Sequence, residues 1–262
     1  MTADAPIRTE SLTKEYGDAV AVRELTFAVE RGEVFGFLGP NGAGKTTTMQ
    51  MLTTLTRPTS GEAWVAGEPV TDRDAVVEEL GYMPEEPPIY DELTGREQLE
   101  YVAGLRDLPA ETADERIREL LARFDLAGDA DDRISTYSKG MKQKTALIQA
   151  VLHDPAVLFL DEPTSGLDPR AARTVRDLVT ELRDEGMTVF LSTHILPVVE
   201  ELADRVGVLH EGRLVAEGSP DELTHRAESG EESTLEEVFL AVTSERPEEA
   251  ESADAGESEF AR

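Results

Sequence analysis

The sequence predicts a mixed α/β fold that is built around a phosphate-binding loop. Two stretches of the sequence support this prediction. The apolar run 33–38 leads into the Gly-rich stretch 39–47, and a helical pattern follows as far as Leu55. A second apolar run, 156–160, ends on acidic residues and is also followed by a helix. Continuous apolar runs are typical of parallel strands that are buried on both faces, and their alternation with helices indicates a parallel sheet.

The Gly-rich stretch fits the pattern G-x-x-x-x-G-K-[ST], in which backbone N–H groups surround a chain of phosphates. Glycine lets the backbone bend closely around an anion, and the N-terminus of the following helix adds partial positive charge. Lys45 is expected to reach the β- and γ-phosphates, and the hydroxyl of Thr46 to bind Mg²⁺. At average glycine content the pattern arises by chance in roughly 1% of chains of this length, so it predicts a nucleotide site. The predicted contacts are Gly39, Pro40, Asn41, Gly42, Ala43, Gly44, Lys45, Thr46 and Thr47.

Length and composition limit the classes to which the chain can belong. Its 262 residues, 39% of them hydrophobic, are enough for one large domain or for a domain with a subdomain. The absence of cysteine excludes disulfides, thiolate metal sites and iron–sulfur clusters. No apolar run approaches the roughly 18 residues of a membrane span, and the first residues lack the features of a signal peptide. We therefore expect a cytoplasmic chain, which can still dock on a membrane protein.

The chain is strongly acidic, with 55 acidic against 25 basic residues and a formal net charge of −30. Residues 245–262 hold seven acids and two arginines, a net of −5, so −25 remains on the body. This charge disfavours nucleic acid or an anionic lipid surface as a partner. It is typical of proteins from salt-rich cytoplasms, where cations screen the self-repulsion, and a halophilic protein is therefore our hypothesis.

Short apolar runs on both sides of the phosphate loop predict further strands. Tyr16 is the last residue of the first predicted strand. Composition favours Tyr16 as a half-buried strand residue, because aromatic residues are common in strands. The functional alternative is that its ring stacks on an adenine. Residues 85–88, Glu-Glu-Pro-Pro, predict a linker, because proline removes a backbone donor and restricts the residue before it. The elements predicted before this linker are strands at 7–16, 20–22, 25–29, 62–67 and 80–83, and helices at 46–55 and 72–80.

From Thr94 to about Gln149 the pattern is helical, as in a helical unit inserted into an α/β fold. Thr94 and Glu97 fit a capping box. Residues 110–124 place their apolar side chains on one stripe. A further helix is completed by residues 146–152.

The carboxyl-terminal part again alternates strands and helices. Asp168-Pro169 begins a helix, with Asp at the N-cap and Pro at the first helical position, and that helix ends near Gly186. The tail, 244–262, is rich in Glu, Ser and Ala, and we expect it to be disordered. The other predicted elements are a strand at 188–192, a short helix at 197–203, a hairpin of strands 206–209 and 213–217, and an amphipathic helix at 235–242.

Acidic and imidazole side chains follow two of the predicted strands: Asp161 and Glu162 after one, His194 after the next. Taken alone, such acids are more often exposed strand ends, and such a histidine more often makes an ordinary backbone hydrogen bond. Ligands of open α/β sheets gather at the carboxyl edge of the sheet. Because the phosphate loop is predicted at the same edge, we favour a functional role for the acids and for the histidine. We expect Asp161 to hold Mg²⁺, Glu162 to act as the base on the attacking water, and His194 to reach the γ-phosphate.

Over roughly residues 7–220 the chain resembles the ATP-binding subunit of ABC transporters. Tyr137-Ser138-Lys139-Gly140-Met141 is similar to the family signature, in the variant common among ABC-2-type exporters and drug-resistance ATPases. Ser165-Gly166-Leu167-Asp168 resembles the D-loop, Thr193-His194 the switch histidine, and Tyr16 the adenine-stacking aromatic.

The resemblance implies a fold and its divisions. The fold is a P-loop NTPase core of the RecA-like type, with an N-terminal antiparallel β-subdomain and an inserted α-helical signature subdomain. The implied divisions are an ATPase domain at 1–222, with the core at about 7–85 and 150–222 and the helical subdomain at about 86–149, and a C-terminal helical extension at 223–243.

The resemblance also implies an activity and its partners. The chain would hydrolyse ATP with Mg²⁺ and power a separate integral-membrane permease, with a preference for export, from the inner face of the cell membrane. Two copies, a homodimer in the simplest case, would meet face to face. Ser138 and Gly140 of one copy would then cap the γ-phosphate bound by the other, and Asp168 would connect the two sites.

Two residues depart from the pattern of the family. Glu85 stands where the family usually has Gln, so a contact with the metal and a role as an exposed linker acid remain open alternatives. Lys139 replaces the second glycine of the signature. Two other functions are alternatives. A soluble ABC-type ATPase of DNA repair or ribosomes usually has paired ATPase units, long coiled coils or cysteine clusters. A non-catalytic regulatory module would be expected to lack Glu162 or His194.

Overall fold

A computed structural model describes residues 4–225 and 234–244. The strands are β1 Ile7–Tyr16, β2 Ala19–Val29, β3 Val34–Leu38, β4 Ser60–Val65, β5 Glu68–Pro69, β6 Leu80–Met83, β7 Val157–Asp161, β8 Thr188–Thr193, β9 Arg205–His210 and β10 Arg213–Gly218. The helices are α1 Lys45–Leu52, α2 Arg73–Glu79, α3 Gly95–Leu105, α4 Ala110–Arg123, α5 Lys139–Val151, α6 Pro169–Asp184, α7 Leu196–Leu202, α8 Pro220–His225 and α9 Leu235–Ser244, with a 3-10 turn at Ile134–Thr136.

The strands form two sheets, which confirms the predicted α/β class. An antiparallel sheet has the order β2-β1-β4-β5, and a second sheet has the order β10-β9-β3-β8-β7-β6. In the second sheet all neighbours are parallel except the edge pair of β9 and β10. Leu38 pairs with Thr193 and Asp161 pairs with Ser192, so β3, β7 and β8 end level with one another. The loops that follow these strands therefore share one edge of the sheet.

Alternating side chains of the parallel sheet enter two different cores, as the pleat of a strand requires. One face packs on the antiparallel sheet and α1, and Phe27 from β2 stacks there on Phe35 of β3 with ring centroids 5.5 Å apart. Leu158 and Leu191 point to the other face and pack against the helices, including Leu121 of α4. The helical part thus shares a core with the parallel sheet.

Most element boundaries match the predictions, and the differences have local causes. The capping box of Thr94 and Glu97 is confirmed at the start of α3. The runs 20–22 and 25–29 are one strand, β2, which follows β1 along its whole length. The predicted helix to Leu55 is wrong at its end: α1 stops at Leu52, and Thr54 takes a left-handed backbone with φ 63°.

The largest difference is the start of α5. The sequence predicts a helix completed by 146–152, whereas α5 begins at Lys139, inside the signature motif. Ser138 provides the N-cap that the prediction missed, since its Oγ accepts from the N–H of Met141 at 3.2 Å. The helix ends at Val151, beyond the subdomain boundary predicted at 149.

At the C-terminus, α9 covers and extends the predicted helix at 235–242 and places Leu235 in a small core with α7. The tail beyond Ser244, predicted to be disordered, lies outside the described residues. In the part of the chain that the structure describes, no helix has both the length and the apolar character needed to cross a bilayer.

Candidate active site

The phosphate loop connects β3 to α1 and is held between β2 and β9. A Cβ on Gly39 would lie 2.5 Å from the carbonyl oxygen of Leu209, so only glycine fits there. Gly44 is the N-cap of α1 with φ 106°, and a Cβ there would lie 2.5 Å from the carbonyl oxygen of Ala21. These glycines allow the backbone to lie against two strands while the helix N-terminus opens into the adjacent cavity.

Lys45 begins α1, and its side chain is only 7% exposed. Its Nζ donates to the carbonyl oxygen of Gly39 at 2.7 Å and lies 3.8 Å from Oε1 of Glu162. Burial lowers the pKa of Lys45, and the charges of Glu162, Asp161 and Glu85 oppose that shift. The ammonium is thus a buried cation surrounded by carboxylates and backbone carbonyls, with the loop amides nearby.

Asp161 is the last residue of β7 and is 3% exposed. The Oγ of Ser192, its neighbour on β8, donates to Oδ1 of Asp161, and the hydroxyl of Thr46 lies close to the same carboxylate. Burial raises the pKa of Asp161, and both hydroxyl contacts oppose the shift. The structure thus brings Thr46 and Asp161 close together, and their shared role in binding Mg²⁺ stays a prediction. Ser192 was missed, although a polar residue late in an apolar strand was a signal for it.

Glu162 occupies a left-handed backbone conformation with φ 48°, which costs a residue other than glycine of order 1 kcal/mol. Its N–H donates to the carbonyl oxygen of Ser192 at 2.9 Å. Its Oε2 accepts from Oγ1 of Thr193 at 3.0 Å, and its Oε1 lies 2.8 Å from Nδ1 of His194. Several contacts therefore fix this buried carboxylate, and the strained backbone is what one expects where a side chain must be held in a functional position.

Lys45, Glu162 and His194 border a cavity of about 400 Å³, within the usual range for small-molecule sites. Its lining combines the phosphate loop, the start of α1, two of the predicted acids and the predicted imidazole; Asp161 is not part of the lining formed by the described residues. Ala21 of β2 also belongs to it and had not been predicted. The lining residues are Ala21, Asn41, Gly42, Gly44, Lys45, Thr46, Thr47, Glu85, Glu162 and His194.

The structure places Glu85 at the cavity but not Tyr16. Glu85 lines the cavity, and its charge acts on Lys45, so it lies at the site. Tyr16 is not among the described residues that line the cavity. Its side chain is 50% exposed at the end of β1, with Nζ of Lys14 4.9 Å from the ring centroid. The adenine-stacking role of Tyr16 stays a prediction.

The signature motif lies away from this cavity. Ser138 caps α5, and the hydroxyl of Tyr137 donates to the carbonyl oxygen of Asp129 at 2.7 Å. Gln143, one turn further along α5, was missed by the sequence reasoning; its Nε2 donates to the carbonyl oxygen of Pro163 at 2.7 Å. Asp168, predicted to connect two sites, caps α6 by accepting from the N–H groups of Arg170 and Ala171, each at 3.0 Å.

The donor set fits magnesium. Thr46, Asp161 and Glu85 offer only oxygen atoms, the ligands that Mg²⁺ prefers. Among the described residues, no three His, Asp or Glu side chains gather closely enough to hold a metal by themselves. Mg²⁺ is commonly bound through one or two carboxylates together with the phosphates of a substrate, which is the arrangement that these residues permit.

Comparisons with known proteins agree with one another. The protein-family model described as "ABC transporter" matches residues 22–165. An uncharacterized ABC transporter ATP-binding protein of Nostoc is 44% identical over 206 residues, which cover 78% of this chain and 61% of that protein. A fluoroquinolones export ATP-binding protein of Mycobacterium tuberculosis is 44% identical over 220 residues, 83% of this chain and 72% of that protein. Among solved structures, the ATP binding subunit of an ABC transporter has a TM-score of 0.80 and 32% identity, and the match covers 90% of this chain and 98% of that chain.

Proposed function

The chain belongs to the family of ABC transporter ATP-binding proteins, and from this premise we propose that it hydrolyses ATP to drive a membrane permease. ATP-binding domains of this family are ATPases. The observation that carries the proposal is the position of Glu162, a buried carboxylate 2.8 Å from His194 and 3.8 Å from Lys45, at the border of the cavity.

In this proposal, the backbone amides of the phosphate loop and Nζ of Lys45 bind the phosphates of ATP. Thr46 and Asp161 hold Mg²⁺, and Glu85 is a further candidate ligand. When bound, the metal neutralises charge on the phosphate oxygens. The buried pair of Ser192 and Asp161 keeps the carboxylate oriented, because the hydroxyl donates to it from the neighbouring strand.

Glu162 accepts the proton of the attacking water, and His194 and Thr193 hold its two carboxylate oxygens in place. The charge that develops on the transferred phosphoryl group is stabilised by Lys45 and the loop amides, which are fixed before the reaction begins. His194 thus has a positioning role through Glu162, in addition to the contact with the γ-phosphate predicted from the sequence.

The site is completed by a second copy of the chain. Ser138, Lys139 and Gly140 lie at the exposed N-terminus of α5, where helix dipole and amides suit an anion. A two-fold arrangement, the commonest in soluble oligomers, would bring this terminus of each copy to the phosphates of the other. Tyr137 and Met141 flank the motif, and Asp168 lies beside it at the start of α6.

The partner in the membrane is a separate permease, and the direction of transport is export. Support for export comes from the signature variant and from the fluoroquinolones export protein to which the chain is similar. Through the permease the chain would lie on the cytoplasmic face of the membrane. The net charge of −30 supports a salt-rich cytoplasm as its working environment; full activity in dilute buffer that molar KCl leaves unchanged would contradict this.

Release of phosphate from ATP by the purified chain, with Mg²⁺ and with a chelator, tests the enzymatic part. We expect turnover that the chelator abolishes; ATP binding without any turnover would identify a regulatory module instead. Purification from membranes tests the transport part. An integral membrane protein should remain bound to the chain and change its ATPase rate, whereas turnover by a chain that is never found with membranes would indicate a soluble ATPase.

A further inference from the structure

Gln143 is a buried amide on α5 to which the proposed function assigns no role. Its side chain is 6% exposed. Three, four and seven positions further along the helix, the side chains are apolar and lie in the core between the helices and the parallel sheet: Ala146, Leu147 and Ala150. An amide at such a position lowers stability unless it is hydrogen-bonded. The contacts of Gln143 therefore indicate what the amide is for.

The amide nitrogen of Gln143 contacts two segments that border the nucleotide cavity. It donates to the carbonyl oxygen of Pro163 at 2.7 Å and lies 3.9 Å from Sδ of Met83. An amide nitrogen carries two donors, so both contacts can exist together, and the carbonyl is the stronger acceptor. Pro163 directly follows Glu162, and Met83 ends β6 two residues before Glu85. One side chain of α5 thus contacts the chain beside both acids of the cavity.

The stronger contact is made to the middle of a tight turn that begins at Glu162. The N–H of Ser165 donates to the carbonyl oxygen of Glu162 at 3.0 Å and closes the turn, with Pro163 and Thr164 as its central residues. Proline suits the first central position because its φ is fixed. Turn types differ in the orientation of the peptide group between the central residues. Gln143 holds the carbonyl of this peptide group and thereby selects one orientation.

The turn fixes a residue whose backbone is strained. Glu162 has φ 48°, and such a conformation persists only where the surroundings over-determine it. On one side, the N–H of Glu162 donates to the carbonyl oxygen of Ser192 at 2.9 Å. On the other side, Pro163 has no N–H, so its buried carbonyl is the backbone group through which it can be anchored. Gln143 provides this second anchor from a helix outside the sheet edge.

We propose that Gln143 is a positioning residue for ATP hydrolysis, because its amide holds the turn that keeps the carboxylate of Glu162 at the cavity. The inference rests on the role proposed above for Glu162 and adds a residue that acts only through it. The phosphate loop is held by other elements, β2 and β9. Gln143 therefore affects the rate of hydrolysis and leaves the affinity for ATP unchanged.

The test compares two variants of Gln143 with a matched control on the same helix. Gln143→Met keeps a side chain of similar length but loses the donor. Gln143→Asn keeps the amide on a side chain one methylene group shorter, so either variant can carry the test if the other does not fold. The control, Gln149→Met, makes the same chemical change six residues further along α5. There Oε1 of Gln149 accepts from Nε2 of Gln98 at 3.0 Å, a contact remote from the turn.

Single-turnover phosphate release and ATP titration give the rate and the affinity, and urea unfolding gives the folded fraction to which each rate is referred. We expect both Gln143 variants to hydrolyse bound ATP about tenfold more slowly, with the dissociation constant for ATP within about twofold of the wild type. Gln149→Met should keep both quantities within about twofold. A loss of helix packing alone would lower the stability of all three variants without separating rate from affinity.

A double variant provides the second measurement. If Gln143 acts through Glu162, Gln143→Met should change the residual rate of Glu162→Gln by less than about twofold, because the carboxylate that it positions is already absent. A further tenfold fall would mean that the amide acts elsewhere in the molecule, which would contradict the inference.

Two other results would overturn the inference, and they differ in what else they affect. A wild-type chain that hydrolyses ATP while the Gln143 variants match its rate, or while Gln149→Met is slowed equally, contradicts the positioning role alone. A wild-type chain that binds ATP with Mg²⁺ but never releases phosphate contradicts the proposed function as well.

Discussion

The phosphate-loop half of the site and the signature half are built in opposite ways. Lys45, Asp161 and Glu162 are buried and interact with one another through charge, and neighbouring hydrogen-bond partners fix each of them. Ser138 and Lys139 are exposed and make contacts within their own helix or with the neighbouring D-loop segment. One half is complete within the chain, and the other faces outward.

The difference follows from the cost of burying charge. A buried ion needs partners, because its transfer from water is expensive without them, so the catalytic groups must be assembled when the chain folds. An exposed helix N-terminus has no such requirement, since water satisfies its amides until a ligand arrives. In the proposed function, the chain therefore assembles its catalytic groups alone and leaves the closure of the site to a second copy.

The strongest test of the phosphate-loop half is Glu162→Gln. Glutamine can keep the contacts with Thr193 and His194 but cannot take a proton, so the rate of hydrolysis should fall about 10²- to 10⁴-fold while ATP affinity stays within about twofold. Single-turnover phosphate release and ATP titration measure the two quantities. Glu86→Gln, an exposed acid that does not line the cavity, is the control. Turnover near the wild-type rate in Glu162→Gln would show that another group is the base.

Lys45→Ala tests the binding function of the same half. The variant loses the buried ammonium that donates to Gly39 and faces Glu162. We expect ATP affinity to fall about 100-fold, which is about 2.7 kcal/mol. Lys144→Ala, measured by the same titration, should bind ATP as the wild type does. Unchanged affinity in Lys45→Ala would mean that the loop does not bind the phosphates.

The inner end of α5 should respond to pH. His153 follows that helix, and its Nε2 lies 2.9 Å from the carbonyl oxygen of Leu80. Burial, with help from the charges of Arg106 and Arg116, lowers the pKa of His153 to about 4, against about 6.5 in an unfolded chain. The unfolded chain therefore binds more protons between these values, and the free energy of unfolding should fall as pH decreases from about 7 to 4.

After allowance for partial exposure, this contribution is about 2 kcal/mol. Urea unfolding at pH 7 and pH 5 measures it. In His153→Gln, whose amide can still donate to Leu80, the loss of stability over this interval should be smaller than in the wild type. Equal losses in the two proteins would show that the ring is not held neutral by the fold.

We expect the smallest effects from substitutions in the signature half. Ser138→Ala removes the N-cap of α5 and should lower the free energy of unfolding by about 1 kcal/mol. Ser138→Asp keeps a capping oxygen but adds negative charge at the surface proposed to meet the partner's phosphates. It should therefore keep near-wild-type stability and lose ATPase activity, with ATP binding by the monomer unchanged. Full activity in Ser138→Asp would remove Ser138 from the proposed closure.

Both halves of the site could be recognised from the sequence, but the spatial position of only one of them could be predicted. For the phosphate-loop half, the sequence also indicated proximity, because acids at the ends of parallel strands must share an edge with the loop. The structure places Thr46, Glu162 and His194 around one cavity, with Asp161 next to Glu162 in the chain and close to Thr46. For the signature half, the motif gave a role by resemblance, but its place as the N-terminus of a longer helix was missed. Residues 138–145 are too polar to reveal the helix by periodicity.

The chemical groups of the site could be predicted from the amino-acid sequence: a loop for phosphates, acids after a buried strand, an imidazole after the next, and an excess of negative charge. These are properties of residue type and short spacing. The folded structure was needed to show that Glu162 has a left-handed backbone and contacts His194, that Ser192 supports Asp161, and that the N-termini of α5 and α6 lie side by side. Such contacts join residues far apart in the chain, and strand register and helix packing set them, neither of which a local pattern encodes.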